Sequence, residues 1–177
     1  MLSNKILYAA GVLFYGRAPD KNLYFLLGKD LNNNRWSDFS GNSELLDKGD
    51  VETTAARECW EETLGSVFSY EEIKNQIRNN KNKFTIKSKT PSGKIHFLFV
   101  VKIPFLPTYR EKFLSTKNFV SKLNIDSKYN EIADIKWVSL NTILNTLETD
   151  GKKIVKLRHA FEENLKNNLK YIQELID

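Results

Sequence analysis

Two hydrophobic rhythms alternate along the chain, one of period two and one of helical period, and their order predicts its elements. Ile6 to Tyr15 and Leu23 to Leu27 are β-rich runs separated by the turn residues Gly16-Arg17-Ala18-Pro19-Asp20, which predicts a hairpin. Asn32-Asn33-Asn34 reads as a loop tip, and Arg35 to Phe39 as a short strand running into Gly41. The rhythm then turns helical. Asp50 is a plausible N-cap, Val51 begins the first turn, and Gly65 supplies the left-handed residue expected just past the last one. Ser69-Tyr70-Glu71-Glu72 is a capping box that opens a second helix to about Arg78.

Phe84 to Lys87 and Ile95 to Ile103 flank Pro91-Ser92-Gly93 as a second hairpin, whose last strand is apolar on both sides, as a central strand would be. Pro104 and Pro107 stop it, and Tyr109 to Leu123 reads as a helix or lid-like insertion. Glu131 to Val138 predicts a further strand, and Ser139 caps a helix to about Leu147. Val155 to Ile176 reads as one long amphipathic helix, with apolar residues at Leu157, Phe161, Leu165, Leu169, Ile172 and Ile176. The order is mixed, an α+β chain.

Length and composition narrow the class. With 177 residues the chain suits a single domain over its whole length. No apolar run approaches the roughly 20 residues that span a bilayer, and the N-terminus lacks the apolar centre of a signal peptide, so a soluble cytoplasmic protein without a membrane partner is expected. Cys59 is the only cysteine, which rules out an internal disulfide, and its place on an apolar helix face predicts a core residue in preference to a nucleophile. The net charge of +5 would suit a polyanionic partner. Yet lysine (21) far exceeds arginine (6) and asparagine (18) is abundant, a joint bias that an AT-rich genome produces without functional selection. The densest group, Lys81, Lys83, Lys87, Lys89 and Lys94, is scattered through the second hairpin and reads as a solvated edge in preference to a nucleic-acid track.

The chemistry concentrates in Arg57-Glu58-Cys59-Trp60-Glu61-Glu62-Thr63. At about 100° per residue Glu58, Glu61 and Glu62 fall within an arc of roughly 100°, while Ala56, Cys59, Trp60 and Thr63 lie opposite. One face can dock on a core; the other holds like charges that repel unless Mg²⁺ or Mn²⁺ neutralises them or one carboxyl takes a proton. A surface helix with Glu pairs and an Arg57/Glu61 contact at i, i+4 is the alternative.

At these residues the chain resembles the Nudix hydrolase family, whose box reads G-x5-E-x7-R-E-U-x-E-E-x-G-U with U a bulky apolar residue. Arg57-Glu58-Cys59-x-Glu61-Glu62 matches it, with Cys59 as a small apolar stand-in. Two departures stand out. Thr63-Leu64 separates Glu62 from Gly65, one residue more than the pattern, and Gly41 lies two residues too far from Arg57. Where the family has Glu, eight positions before Arg57, this chain has Gly49, with Asp47 and Asp50 nearby as substitutes.

The resemblance implies an α/β/α sandwich around a mixed sheet, with the box helix on one face and the C-terminal helices on the other. It also implies metal-assisted hydrolysis of a diphosphate bond in a nucleoside-diphosphate-linked substrate. Carried over, Glu61 and Glu62 are the best metal ligands, Glu58 is a third ligand or activates water, Gly41 offers a backbone carbonyl, and Arg57 holds a glutamate in place. Glu44 is a weaker ligand candidate. Glu131, in a Glu-Ile-x-x-Ile-x-Trp tract seen late in several members, is the candidate general base; flanking a strand at the surface is its other reading. Arg35 and Trp36 are the substrate-binding candidates, although a Trp leading into such a loop is more often core. Trp60 and Trp137 read as core, and His96 and His159 as structural or exposed. The box wording also resembles Nudix proteins of large DNA viruses, some of which remove RNA caps. A phosphorylated small molecule, capped RNA, and a non-catalytic nucleotide- or RNA-binding module therefore all remain open.

Overall fold

A computed structural model describes residues 8–81, 83–123, 126–148 and 154–174. The expected strand residues Ile6 and Leu7 and the helix residue Ile176 lie outside them. Among the described residues, seven strands form one mixed sheet: β1 (Tyr8–Arg17), β2 (Leu23–Asp30), β3 (Trp36–Ser37), β4 (Phe39–Asn42), β5 (Lys83–Lys89), β6 (Ile95–Lys102) and β7 (Ile132–Ser139). Six helices among the same residues pack on it: α1 (Val51–Thr63), α2 (Tyr70–Asn79), α3 (Thr108–Val120), α4 (Leu140–Glu148), α5 (His159–Asn167) and α6 (Leu169–Gln173).

β1 is the spine, and its alternation builds two cores. Tyr8, Ala10, Val12 and Phe14 join a cluster with Ala55, Ala56 and Cys59 of α1, Ile73 and Ile77 of α2, and Tyr109 and Phe113 of α3. Leu13 and Tyr15 join the other, with Leu140 and Ile143 of α4, Phe161 and Leu165 of α5, and Ile172 of α6. Because successive strand residues face opposite sides, the box helix and the C-terminal helices cover opposite faces of the sheet. This is the expected sandwich. Trp60 and Trp137 are half-buried and pack against the first cluster, and Cys59 is fully buried.

The sheet forks at its centre. On one side β1 runs parallel to β6 along its length. On the other it pairs antiparallel with β4 at Ala9 to Val12 and with β2 at Phe14 to Arg17, so β2 and β4 diverge. Gly11 permits this: a Cβ there would stand 2.1 Å from Ser40 Cβ and 2.3 Å from the Phe39 carbonyl oxygen. β2 then carries β7 along its outer edge.

Three expectations are corrected. The strand foreseen over Arg35 to Phe39 is two strands broken at Asp38, and Gly41 sits inside β4 in place of a loop. The α1 end comes one residue earlier than expected: Leu64 is already in the left-handed region (φ 55°), and Gly65, left-handed as expected, follows at φ 63°. The single long helix over Val155 to Ile176 is not formed. Leu157 bridges Trp36 as an added strand residue, the Trp36 amide donates to the Lys156 carbonyl, and the Arg158 amide donates to that of Trp36. An unpaired sheet edge thus captures backbone that would have begun the helix. The helix breaks again at Asn168, whose side chain donates to the Asn164 carbonyl at 2.8 Å.

Candidate functional site

α1 carries the acidic cluster. Asp50 caps it by accepting from the Glu52 amide, and the buried Ala55, Ala56 and Cys59 seat it on the first core. That contact turns Glu58, Glu61 and Glu62 toward β4 and the fork. Gly41 makes room for them: a Cβ at this position would lie 2.3 Å from the Glu58 carboxylate. The resulting cleft, about 210 Å³, is lined by Gly41, Arg57, Glu58, Glu61, Glu62 and Glu131, among others. The structure therefore brings Gly41 and all of the expected catalytic side chains to one place.

Arg57 organises the cleft. Its Nε and Nη2 donate to the two Asp47 oxygens at 2.9 and 3.0 Å, and Nη2 donates also to the Asn42 carbonyl. Nη1 lies 2.9 Å from Glu58 Oε1 and 3.3 Å from Glu61 Oε2. Burial opposes the guanidinium charge, but Asp47 and Glu58 more than reverse this and hold it charged. Of the two acids near the position of the missing box glutamate, Asp47 is the one that pairs with Arg57. It folds back through a one-turn 3₁₀ helix, Leu45–Asp47, in which Glu44 and Asp47 bond each other's backbone.

The carboxyls are not alike. Burial pushes Glu58 up to about 7; Arg57 opposes this, and the neighbouring Glu61 and Glu131 charges add to it. Glu62 is raised well above the usual range by burial and by Glu58, Asp38 and Glu131, and its Oε2 has no partner among the described residues. Glu61 is held by Arg57 and by Lys128, whose ammonium donates to Glu61 Oε1 at 2.7 Å. Lys128 comes from a 3₁₀ turn, Ser127–Asn130, that α1 supports through an edge-on contact of Trp60 with Tyr129. Glu131, the exposed residue that follows this turn, has no ion pair with a described residue.

These donors suit a hard divalent cation. They are clustered carboxylate oxygens, two of which, on Glu58 and Glu62, are driven toward protonation, one buried oxygen is unanswered, and Gly41 is bare. Among the described residues, no three His, Cys, Asp or Glu side chains already stand in ligating geometry. Glu58 and Glu61 are turned instead to Arg57 and Lys128, so ligation requires them to reorient.

Arg35 and Trp36 do not line the cleft or the cavities that adjoin it. Trp36 is only 8% exposed, belongs to the second core, and carries Lys136 over its ring at 4.2 Å. Its stacking role is corrected to a core one, because the added strand residue Leu157 seals that edge. His159 is exposed. His96 is largely buried but not satisfied: its Nε2 has no partner and stands 4.0 Å from Asp38 Oδ2. Three residues the sequence reading did not single out now matter. Asp38 is a polar residue between Trp36 and Phe39, a signal that could have been read; Arg158 and Lys128 carried none, since each is one basic residue among many.

No protein-family model matches the sequence, and no curated protein matches it significantly. Solved structures do share the fold. C. elegans Ap4A hydrolase in a binary complex is 15% identical, with a TM-score of 0.54 over 96% of this chain and 99% of that one. The Nudix domain of Shewanella oneidensis NrtR complexed with ADP ribose is 13% identical, with a TM-score of 0.53 over 95% of this chain and 87% of that one. The C-terminal domain of mouse MUTYH, in complex with human PCNA, is 7% identical with a TM-score of 0.51, over 94% of this chain and 90% of that one. Among the described residues no helix is long and apolar enough to cross a membrane. With a mixed sheet between two helical layers and the box carboxylates grouped on α1, this chain has the Nudix fold.

Proposed function

We propose that the chain is a divalent-metal-dependent diphosphohydrolase of the Nudix type, cleaving a diphosphate bond in a nucleoside-diphosphate-linked substrate. One observation carries this reading: five glutamates (Glu44, Glu58, Glu61, Glu62 and Glu131) line a single cleft, and the buried Glu62 Oε2 is left unanswered there. A binding-only descendant has no need to keep such a costly group, since an unpaired buried oxygen costs about 1–3 kcal/mol.

Glu58, Glu61 and Glu62, with the Gly41 carbonyl, would hold the cation. When bound, it neutralises diphosphate charge and makes a bound water easier to deprotonate. The chain's own groups do the rest. Arg57 fixes the orientation of Glu58 and Glu61. Glu131, exposed in the cleft lining and free of ion pairs with described residues, would take the proton of the attacking water. Lys128 balances Glu61.

A small-molecule substrate is favoured over capped RNA because the hairpin lysines are largely engaged. Lys83 donates to the Ile77 and Arg78 carbonyls, Lys87 lies over the Phe97 ring, and Lys94 donates to Asn42 Oδ1. ADP ribose and Ap4A, named for two of the fold neighbours, are the first substrates to assay, with capped RNA alongside. Turnover with Mg²⁺ or Mn²⁺ and none in EDTA is expected, and Glu61→Gln and Glu62→Gln should each lower it on the order of a thousandfold. Variants that turn over like the parent would make the cluster a solvated surface. Glu131→Gln should lower turnover roughly a hundredfold with fold and metal binding intact; an unchanged rate would return proton transfer to Glu58.

A further inference from the structure

Beside the acidic cleft, on the face covered by α5, lies a cavity of about 330 Å³, within the size range of small-molecule sites. Asp38 and His96 are in its lining, as are Ala9 and Phe161, and the β5–β6 hairpin, at Thr90 and Pro91, forms part of its edge. Residues 96, 98 and 100 of β6 alternate onto this face, since Leu98 and Val100 belong to the second core. A smaller opening of about 170 Å³ at the fork shares Asp38 and Arg158 with the cavity, and Glu62 and Glu131 with the cleft. The two faces of the sheet therefore communicate where β2 and β4 diverge.

Two buried polar atoms in this passage are left without hydrogen bonds, and an exposed arginine, whose charge acts on Glu62, stands beside them. Asp38 is only 5% exposed; its Oδ1 accepts from the Ser37 hydroxyl at 2.7 Å, while Oδ2 has no hydrogen bond. His96 Nε2 is likewise unpaired, 4.0 Å away and too far to bond it. The Arg158 guanidinium makes no hydrogen bond or ion pair with a described residue, although its backbone is anchored to Trp36. Buried polar atoms are seldom left unpaired. Here two of them face each other across a gap that one small polar group can bridge, with a cation at the way out toward the glutamates.

A hydroxyl has the matching chemistry. It can donate to Asp38 Oδ2, which only accepts, and use a lone pair or proton toward His96 in either ring tautomer. The volume exceeds what a sugar alone requires, and Phe161 and Pro91 offer apolar surface to a base. We propose that this cavity binds the nucleoside part of a nucleotide, with Asp38 and His96 clasping a ribose hydroxyl and Arg158 taking the adjoining phosphate. The proposal rests on the diphosphate reading of the cleft only for the direction in which the phosphate points.

Calorimetric titration of the full chain in EDTA tests it without turnover. AMP should bind the parent, and 2′,3′-dideoxy-AMP should bind at least about tenfold more weakly, the loss expected when a site built for a hydroxyl meets a ligand lacking it. Asp38→Ala should bring the two ligands to similar affinity, and Arg158→Met should weaken AMP about tenfold while leaving adenosine unchanged. The parent comparison needs no variant, so it stands even where Asp38→Ala fails to fold. Equal binding of AMP and the dideoxy compound, no binding of AMP, or an unaltered AMP affinity in Arg158→Met overturns the proposal. Selective binding without metal-dependent turnover would sink the hydrolase reading alone; turnover without selective binding would sink this one alone.

Discussion

The acidic cleft on α1 and the cavity beneath α5 share the fork of the sheet but solve opposite problems. In the cleft the chain answers most of its own charge: Arg57 reaches Asp47, Glu58, Glu61 and the Asn42 carbonyl, Lys128 reaches Glu61, and among the described residues Glu62 Oε2 and the exposed Glu131 are left over. In the cavity Asp38 Oδ2 and His96 Nε2 are left without hydrogen bonds among the described residues, and the Arg158 guanidinium stands exposed beside them. A frame that satisfies itself can fold before any ligand arrives. A recognition site cannot, because every group it pairs internally is one fewer for the ligand, so the cavity carries its polar groups at a cost in stability.

The largest test of that contrast removes the centre of the frame. Arg57→Met leaves Asp47 buried without its partner and is expected to cost about 3–5 kcal/mol in urea unfolding, as removal of one member of a buried ion pair does. The double variant with Asp47→Asn should recover part of the loss. A cost near zero would mean that the frame is solvent-screened and does not hold the cleft.

The second test uses pH. Glu58 titrates near 7 in the folded chain and near its ordinary 4.5 when unfolded, so between those values the folded state binds more protons and stability falls as pH rises. The stabilisation is fully present below about pH 4.5 and lost by passing about pH 7, a difference of about 3 kcal/mol for that carboxyl. Glu62, raised for the same reason, acts in the same direction. Thermal unfolding in EDTA should therefore show a higher midpoint at about pH 4.5 than at about pH 7.5, the two sides of that interval, and Mg²⁺ should flatten the difference. A midpoint that rises with pH would contradict the burial of these carboxyls.

The smallest effect is at the edge of the frame. Lys128 is partly exposed and pairs with Glu61, so its removal should cost little, about 0–1 kcal/mol. Lys128→Met frees a Glu61 oxygen, and Mn²⁺ affinity by calorimetry should rise severalfold. An unchanged affinity would place the cation away from Glu61.

How much was legible follows from the range of the forces involved. The box helix, its Asp50 cap, the Ser69 capping box and both hairpins were readable because each depends on residues a few positions apart. The face shared by Glu58, Glu61 and Glu62 was readable for the same reason. Even the irregular upstream loop announced itself, since Asp47 was one of two acids close enough to replace the missing glutamate. The last helix misled because its apolar spacing is helical, while Trp36 offers an unpaired strand edge from more than 100 residues away and takes Lys156 to Arg158 as backbone partners.

Sequence alone thus determined which residues are acidic, which helix carries them, and that they share a face, because helical geometry is local. Only the tertiary structure decided what they meet. The fork between β2 and β4 is a long-range pairing choice, and it sets Glu62 and Glu131 at one opening with Asp38 and Arg158. It also buries Trp36, which the sequence offered as a binding residue. Asp38, His96 and Arg158 come from three distant segments, and what sets Asp38 Oδ2 and His96 Nε2 apart is the absence of a partner, which exists only once every other contact has been made.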